Sequence, residues 1–364
     1  MDKPFNILFS PLEWGLGHAG RLIPLIRKLR ERGHNIFIAS GPVHTDFFRS
    51  ESCEAFYIDF PGFRPVYSGF LPQYLMIMLQ LPLLVFHTIR DNWRLRKVIE
   101  RYGIDLVISD NRFGMWNKRV KSVYITHQLL IPFPRYLRFL EPAGAALHRI
   151  IIRKYNFCFI PDLPGDNSLT GKLAHGTRPP GNEIYTGILS RFADAGKREL
   201  HDNKLFAHNT VILSGPEPQK GILRKKVTEI LKNSGITTVV LEGKPDEDMK
   251  TEISGNIIFH SHLTSPEMSF IIRGSKSIIC RSGYTTIMEL ISLGCTALLV
   301  PTPGQTEQEY LAGWLSSRGW FTTITQRNIR DSLPLCENRR VTDQDINGMS
   351  RELLGKALEE ILKE

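Results

Sequence analysis

Short apolar runs alternate with helical patterns along almost the whole chain, and this alternation constrains the fold more than any other feature. The runs cover residues 6–10, 35–40, 105–109, 122–126 and 156–160 in the first half. In the second half they cover 210–214, 237–241, 256–259, 277–280 and 296–300. Most are continuously apolar, the pattern of strands covered on both faces in a parallel sheet. Helical periodicity fills many of the intervals, as over 21–32 before Gly33 and over 285–293 before Gly294. Glycine there suits the left-handed cap that ends a helix. Strand–helix repetition of this kind predicts two doubly wound α/β domains. A length of 364 residues also exceeds what one core comfortably serves. The crossing is expected within 181–190, giving domains 1–184 and 185–364, with an amphipathic C-terminal helix over 343–364 that can pack back on the first. Pro/Gly clusters at 178–181 and 214–221 read as loops.

The chain is 42% apolar, which excludes wholesale disorder. It has no uncharged apolar run long enough to span a bilayer. The opening MDKPFNILFSP lacks a basic stretch followed by a long apolar one, so no secretory leader is expected. Cys53, Cys158, Cys280, Cys295 and Cys336 are scattered without a Cys-x-x-Cys pair and read as reduced thiols of a cytoplasmic protein. Residues 1–184 carry 24 Lys and Arg against 15 Asp and Glu, while 185–364 carry 22 of each. The whole net charge of +9 thus belongs to the first half. That excess suits an anionic partner: a phosphate-bearing substrate, an anionic lipid surface or nucleic acid. A plain solubilising surface is the bland alternative. Nucleic acid is disfavoured, because the basic residues are not interleaved with strand aromatics and no reader motif occurs.

One segment departs from the rhythm. Residues 70–89 read FLPQYLMIMLQLPLLVFHTI and are followed at once by Arg90, Arg94, Arg96, Lys97 and Arg101. They are read as a buried helix pair beside an acceptor groove, followed by a solvated basic helix. The alternative is an apolar patch with a basic collar on the anionic inner face of a membrane. Pro72 and Pro82 favour the first, since they would break a long membrane-lying helix.

Three motifs sit where strands pass into helices. The first, Trp14-Gly-Leu-Gly-His-Ala-Gly-Arg21, follows the first strand. Gly15, Gly17 and Gly20 allow tight turning and close ligand approach, and the helix start offers N–H groups to an anion. Ser40-Gly41-Pro42 stands where a dinucleotide fold would place an acidic residue, against an NAD reading. The second is Cys280-Arg-Ser-Gly-Tyr-Thr-Thr-Ile-Met-Glu-Leu290. Thr285 and Thr286 fall in a first helical turn that could hold a diphosphate, and Glu289 could accept from a ribose diol. The same residues could equally be ordinary capping and surface positions. The third, Val300-Pro-Thr-Pro-Gly-Gln-Thr-Glu-Gln-Glu-Tyr310, carries Gln305, Gln308 and Glu309; alone it is a common loop-to-helix junction.

Together these motifs resemble glycosyltransferase family 28, the MurG-like enzymes that use UDP-sugars on a GT-B fold with two Rossmann-like domains facing a central cleft. The resemblance is strongest over 277–312 and moderate over 5–33. It implies donor contacts from Arg281, Ser282, Gly283, Tyr284, Thr285, Thr286 and Glu289, the last on the ribose. Gln308 and Glu309 match the family's paired glutamines, with Glu in the second place. Ser214 and Gly215 resemble its Gly-rich loop, and Arg191 its arginine near the linker. Gly17 and His18 match the N-terminal loop, written WGLGH here. His127 and Gln128 match the acceptor segment in part, and Asp110 and Asn111 lie at a nearby strand end. The resemblance implies an inverting transfer of a hexose or N-acetylhexosamine to an acceptor, lipid-linked in the membrane-associated version. His18 is the first choice for the base, with Asp110 and Glu13 as rivals.

No Asp-x-Asp occupies a strand end. The stretches 246–248 and 343–345 read as surface, so no metal and no cofactor beyond the sugar nucleotide is expected. His34 reads as a turn residue, and His260 and His262 lack a third metal partner. A UDP-sugar 2-epimerase and a non-catalytic nucleotide-sugar-binding protein at a membrane surface are the competing readings. The basic first half argues against the former and the His18 loop against the latter.

Overall fold

Strand β1 (Asn6–Pro11) is covered on both faces, and parallel neighbours flank it on both edges. The computed structural model describes residues 3–66, 68, 73–193, 208–245, 250–330 and 332–363. Its first sheet holds β1, β2 (Asn35–Ser40), β3 (Phe56–Asp59), β4 (Leu106–Asp110), β5 (Lys121–Ile125), β6 (Phe157–Ile160) and β7 (Glu183–Tyr185). Their order is β3-β2-β1-β4-β5-β6-β7, all parallel. The helices of this region are α1 (Leu16–Glu31), α2 (Pro42–Ser50), α3 (Gln73–Leu79), α4 (Leu81–Tyr102), α5 (Glu141–Ile152) and α6 (Lys172–His175).

The second sheet holds β8 (Asn209–Ile212), β9 (Thr238–Leu241), β10 (Thr251–Ser254), β11 (Ile257–His260), β12 (Ser277–Cys280), β13 (Leu298–Leu299) and β14 (Thr322–Thr323). Its order is β10-β11-β9-β8-β12-β13-β14, parallel except for the edge hairpin β10–β11. The helices here are α7 (Gln219–Asn233), α8 (Ser265–Gly274), α9 (Tyr284–Ser292) and α10 (Thr306–Ser317). The final helix, α11 (Ile346–Leu362), follows. With β10 set aside, both sheets follow the doubly wound order, in which connections run outward both ways from a central pair.

Two compact units result: 1–65 with 77–189 and 345–364, and 66–76 with 190–344. The expected boundary after residue 184 falls inside β7, and the units divide instead between Leu189 and Ser190. The reason is hydrogen bonding. Thr186 N donates to Ile160 O, Gly187 N to Asp162 O and Ile188 N to Ser350 Oγ, which keeps this stretch on the first unit. Helix α11 belongs there too. Its Leu354, Ala357, Leu358 and Ile361 join Ile7, Phe9 and Leu22 in one core, and the Asp345 carboxylate caps its start. Gly187 has φ 67°, and a Cβ on it would lie 2.4 Å from Ser350 Cα, so only glycine allows this approach.

The segment over 77–102 corrects the sequence expectation of a buried helix pair. Helix α4 runs unbroken to Tyr102, with Pro82 accommodated in its first turn. Leu95, Val98 and Ile99 pack on the sheet, whereas Leu83, Phe86, Ile89 and Trp93 are exposed. Among the described residues no helix is long and apolar enough to cross a membrane.

Candidate active site

In a doubly wound sheet, loops part at the carboxyl ends of the two strands where connections diverge, and ligands bind in that crevice. In the first sheet this point lies between β1 and β4, whose last residues, Pro11 and Asp110, pair in register. Helix α1 starts there, with Gly15 as its N-cap, Gly17 and His18 in its first turn and no side-chain cap.

His18 Nδ1 lies 2.6 Å from Asp110 Oδ1. Arg21, one turn further along α1, donates from Nη2 to the same oxygen at 2.6 Å, and its Nη1 lies 2.8 Å from His127 Nδ1. Asp110 is fully buried and Arg21 is 1% exposed. Burial alone would raise the Asp110 carboxyl, but Arg21 and then His18 outweigh it and hold it below its ordinary value. The ionised carboxylate can only accept and the guanidinium can only donate. The proton on His18 is therefore best placed at Nδ1, directed to Asp110, although Arg21 Nη2 is also 2.7 Å from that nitrogen. This leaves the His18 Nε2 lone pair without a partner among the described residues. His127 is buried and Gln128 Nε2 lies 3.3 Å from its Nε2. Asn111 takes a left-handed φ of 52° and accepts from Tyr124 OH at 3.1 Å.

Glu13 is placed differently. Its carboxylate accepts from Gly41 N at 2.5 Å and from Arg64 Nε at 2.9 Å. Burial opposes its ionisation, but Arg64, the Gly62 N–H, Arg112 and the Gly41 N–H together hold its carboxyl below the usual range. This geometry ties loops together and leaves Glu13 a poor base. His34 is a turn residue that accepts from Phe5 N at 3.2 Å through Nδ1.

The sequence reading missed Arg21 and His44. Arg21 had a signal, as a lone cation among the buried apolar positions of α1. His44 had none. Its Nε2 donates to Gly15 O at 3.2 Å, bracing the turn that carries His18. Burial, chiefly, lowers His44 to about 4. It does the same for His148, whose Nε2 lies 3.2 Å from Tyr124 OH. For each, the unfolded chain binds a proton near pH 6.5 while the folded chain resists until about 4. Stability is therefore complete above 6.5 and lost as pH falls toward 4, by about 3 kcal/mol per histidine. Urea titrations across that window should show a falling midpoint, with a shallower fall in His148→Leu. A midpoint independent of pH would contradict burial of these rings in neutral form.

In the second sheet the switch point lies between β8 and β12. Ser214 and Gly215 follow β8, with Gly215 exposed at φ 92°. Arg281, Ser282 and Gly283 join β12 to α9, whose first turn carries Tyr284, Thr285 and Thr286 and has no side-chain cap. Arg281 has no exposed surface. It donates to Val300 O, Pro301 O, Gln219 O and Gln326 Oε1 at 2.6–3.2 Å, and burial lowers it to about 10. Expected as a donor contact, it instead positions three loops through their own acceptors. Ser282 Oγ donates to Gln308 O at 2.8 Å, and the Gln308 side chain accepts from Thr302 N at 2.9 Å. Glu309 accepts from Gly304 N at 2.9 Å. Gln305 N-caps α10 without a side-chain hydrogen bond.

Glu289 and Arg191, 98 positions apart, meet in an ion pair of 2.8 Å, both buried. His260 Nδ1 lies 3.0 Å from Thr251 Oγ1, and His262 is buried. Residues 246–248 lie outside the described residues. Among those described, no group of three or more His, Cys, Asp or Glu is placed to hold a metal ion.

Comparison with known proteins agrees with this architecture. Residues 222–334 match the glycosyltransferase family 28 C-terminal domain. An uncharacterised glycosyltransferase of Methanosarcina acetivorans is 24% identical, over 93% of this chain and 89% of its own. A UDP-N-acetylglucosamine–N-acetylmuramyl-(pentapeptide) pyrophosphoryl-undecaprenol N-acetylglucosamine transferase of Caldanaerobacter subterraneus subsp. tengcongensis is 30% identical over 29% of each chain. Among solved structures, the glycotransferase of kitacinnamycin superposes with a TM-score of 0.63 at 14% identity, covering all of both chains. The calicheamicin glycosyltransferase CalG4 gives 0.57 at 13%, over 98% of this chain and 95% of its own. The fold is thus GT-B, and the protein is a glycosyltransferase. More narrowly, residues 222–334 resemble the C-terminal domain of the family 28 glycosyltransferases.

Proposed function

We propose that this glycosyltransferase moves a hexose or N-acetylhexosamine from a UDP-sugar, with inversion and without metal, to a membrane-associated acceptor. The observation that carries the chemistry is the His18–Asp110 contact of 2.6 Å, with Nε2 left available. His18 Nε2 takes the proton of the acceptor hydroxyl as its oxygen forms the new bond to the anomeric carbon. The bond to the UDP oxygen breaks with its electron pair, and UDP leaves. Asp110 stabilises the imidazolium that forms, and Arg21 keeps Asp110 ionised. The start of α9, the Ser214–Gly215 turn and the Arg191–Glu289 pair are read as the donor side, on the second unit. The UDP preference draws on the donor in the name of the Caldanaerobacter relative, and metal independence on the sequence reading of 246–248 and 343–345 as surface stretches.

A thermal-shift panel of UDP, GDP, dTDP and their sugars tests the donor. UDP compounds should stabilise by about 2.7 kcal/mol at a hundredfold excess over Kd. Transfer should persist in EDTA. Preference for another nucleotide, or activity lost in EDTA and restored by Mg²⁺, would overturn the respective half of the reading.

The membrane part rests on one face of the first sheet. Leu8 and Val107 pack under α4, and Tyr124 packs with Ile152 of α5. Val107 pairs in register with Ser122, so Tyr124, two residues on, shares its face. Helices α4 and α5 therefore cover the same side. They and the turn before α5 expose Phe86 (61%), Ile89, Trp93, Tyr136, Phe139 (74%), Leu147 and Ile150. Exposed Arg96, Lys97, Arg135, Arg138, Arg153 and Lys154 accompany them. Apolar area with interspersed cations suits an anionic bilayer. The chain should sediment with phosphatidylglycerol vesicles and less with phosphatidylcholine, and Phe86→Ser/Phe139→Ser should release it. No binding to either vesicle would remove the membrane from the reading.

A further inference from the structure

Arg21 meets Asp110 with one nitrogen only. A guanidinium facing a carboxylate often sets two N–H groups against two oxygens, which adds both energy and geometric definition. Here Nη2 donates to Asp110 Oδ1 at 2.6 Å, while Arg21 Nε and Asp110 Oδ2 are both buried without a partner. The other terminal nitrogen, Nη1, is turned to His127 Nδ1 at 2.8 Å. The fork is thus divided between a carboxylate and an imidazole. Two unsatisfied buried atoms, each costly, mark that division.

Three elements bring these groups together. Arg21 stands three positions after His18 on α1, on the same helix face. Asp110 ends β4 and pairs in register with Ile125 of β5, and His127 lies two positions beyond Ile125. Asp110 has no exposed surface, and Arg21 and His127 are 1% and 5% exposed, so water is largely kept from these bonds.

Proton placement follows from what each group can do. A guanidinium only donates, so His127 Nδ1 is the lone pair and the ring proton sits on Nε2. A carboxylate only accepts, so the proton of His18 faces Asp110 from Nδ1. Gln128 could make the one contrary demand, since its Nε2 lies 3.3 Å from His127 Nε2. An amide N–H donating there would require His127 to be protonated on Nδ1, against Arg21 Nη1. A charge-assisted bond at 2.8 Å outweighs a neutral one at 3.3 Å, so the consistent assignment turns the Gln128 amide oxygen toward His127.

We propose that Arg21 is a positioning residue of the transfer: its second terminal nitrogen fixes His127 as an N–H donor, in the tautomer opposite to that of His18. One cation then sets both rings, His127 directly and His18 through Asp110. The end of the first sheet offers a lone pair at His18 Nε2 to take the hydroxyl proton. It offers an N–H at His127 Nε2 to hold an oxygen, that of Gln128 in this structure. The proposal rests on the reading of His18 as the base and deepens it by naming what orders the protons around it.

Long-range proton–nitrogen spectra of the full chain, with isotopically labelled histidine at about pH 8, read the tautomer of each ring. His18→Gln and His127→Gln assign the two rings by the loss of their signals. The expected result is one protonated nitrogen per ring, Nδ1 in His18 and Nε2 in His127. In Arg21→Lys a single ammonium replaces the fork and cannot serve Asp110 and His127 together. His18 should keep its tautomer there, while the His127 nitrogens shift to the averaged positions of an exchanging ring. Turnover, read as UDP release, should fall about tenfold to a hundredfold in the same variant, with UDP affinity kept. In the wild type, which needs no variant to fold, His127 protonated at Nδ1, at both nitrogens or in a mixture overturns the proposal. Unchanged His127 shifts or unchanged turnover in folded Arg21→Lys overturn it as well. The His18 ring separates the two readings. A His18 proton on Nε2 ends the base assignment and leaves the His127 donor standing, whereas a misplaced His127 proton does the reverse.

Discussion

Turnover is expected to fall by about a thousandfold when His18 becomes alanine, with UDP affinity little changed. His18 is one-fifth exposed, so its removal opens no large core cavity, and circular dichroism should report an intact fold. The effect should appear in kcat, because the ring is assigned a proton transfer that occurs only on the way to the transition state. Asp110→Asn is the harsher companion. It removes the acceptor that sets the His18 tautomer and leaves Arg21 as a buried cation without its carboxylate, a loss of about 3–5 kcal/mol. Its stability should therefore fall along with its rate, whereas His18→Ala loses only rate. Near-normal turnover in folded His18→Ala would leave His18 as a loop-packing residue and end the base assignment.

Glu289→Ala should weaken UDP binding by about tenfold to a hundredfold, or 1.5–3 kcal/mol. Two causes act together. A carboxylate assigned to the ribose is lost, and Arg191, held at 2.8 Å by Glu289 Oε1, loses its anchor. A double-mutant cycle with Arg191→Ala separates them. If Glu289 acts only by placing Arg191, the second substitution adds nothing to the first; if each meets the ligand, the losses accumulate. Unchanged UDP affinity in calorimetry would take Glu289 out of the site.

Much of the fold was legible because parallel strands buried on both faces leave continuous apolar runs. The strands around 6–10, 35–40 and 277–280 are such runs and appear within a residue of their expected bounds. β3, β7, β10 and β14 were not anticipated. They are two to four residues long and none is buried along its length, so their composition carries little of that signal. The α4 segment misled for the opposite reason. Its apolar residues look like core in one dimension, yet Leu83, Phe86, Ile89 and Trp93 stand exposed on the helix. The candidate site divides similarly. Glycine loops and the His18 and Glu289 positions were visible, since loops before helices have local signatures. Arg281 was visible too, but its direction was not, and its guanidinium turns inward to Val300, Pro301 and Gln219.

By itself the sequence determined the two parallel-sheet domains, the loops that open their helices and the concentration of positive charge in the first half. These follow from periodicity and composition, which act over a few neighbouring residues. Only the tertiary structure decided that Arg21, Asp110 and His127, separated by 89 and 106 positions, share one buried network with His18, and that His44 braces their loop. Strand order is the physical cause. Placing β4 beside β1 and β5 beside β4 brings their carboxyl ends together, and no local pattern records which strand will be the neighbour.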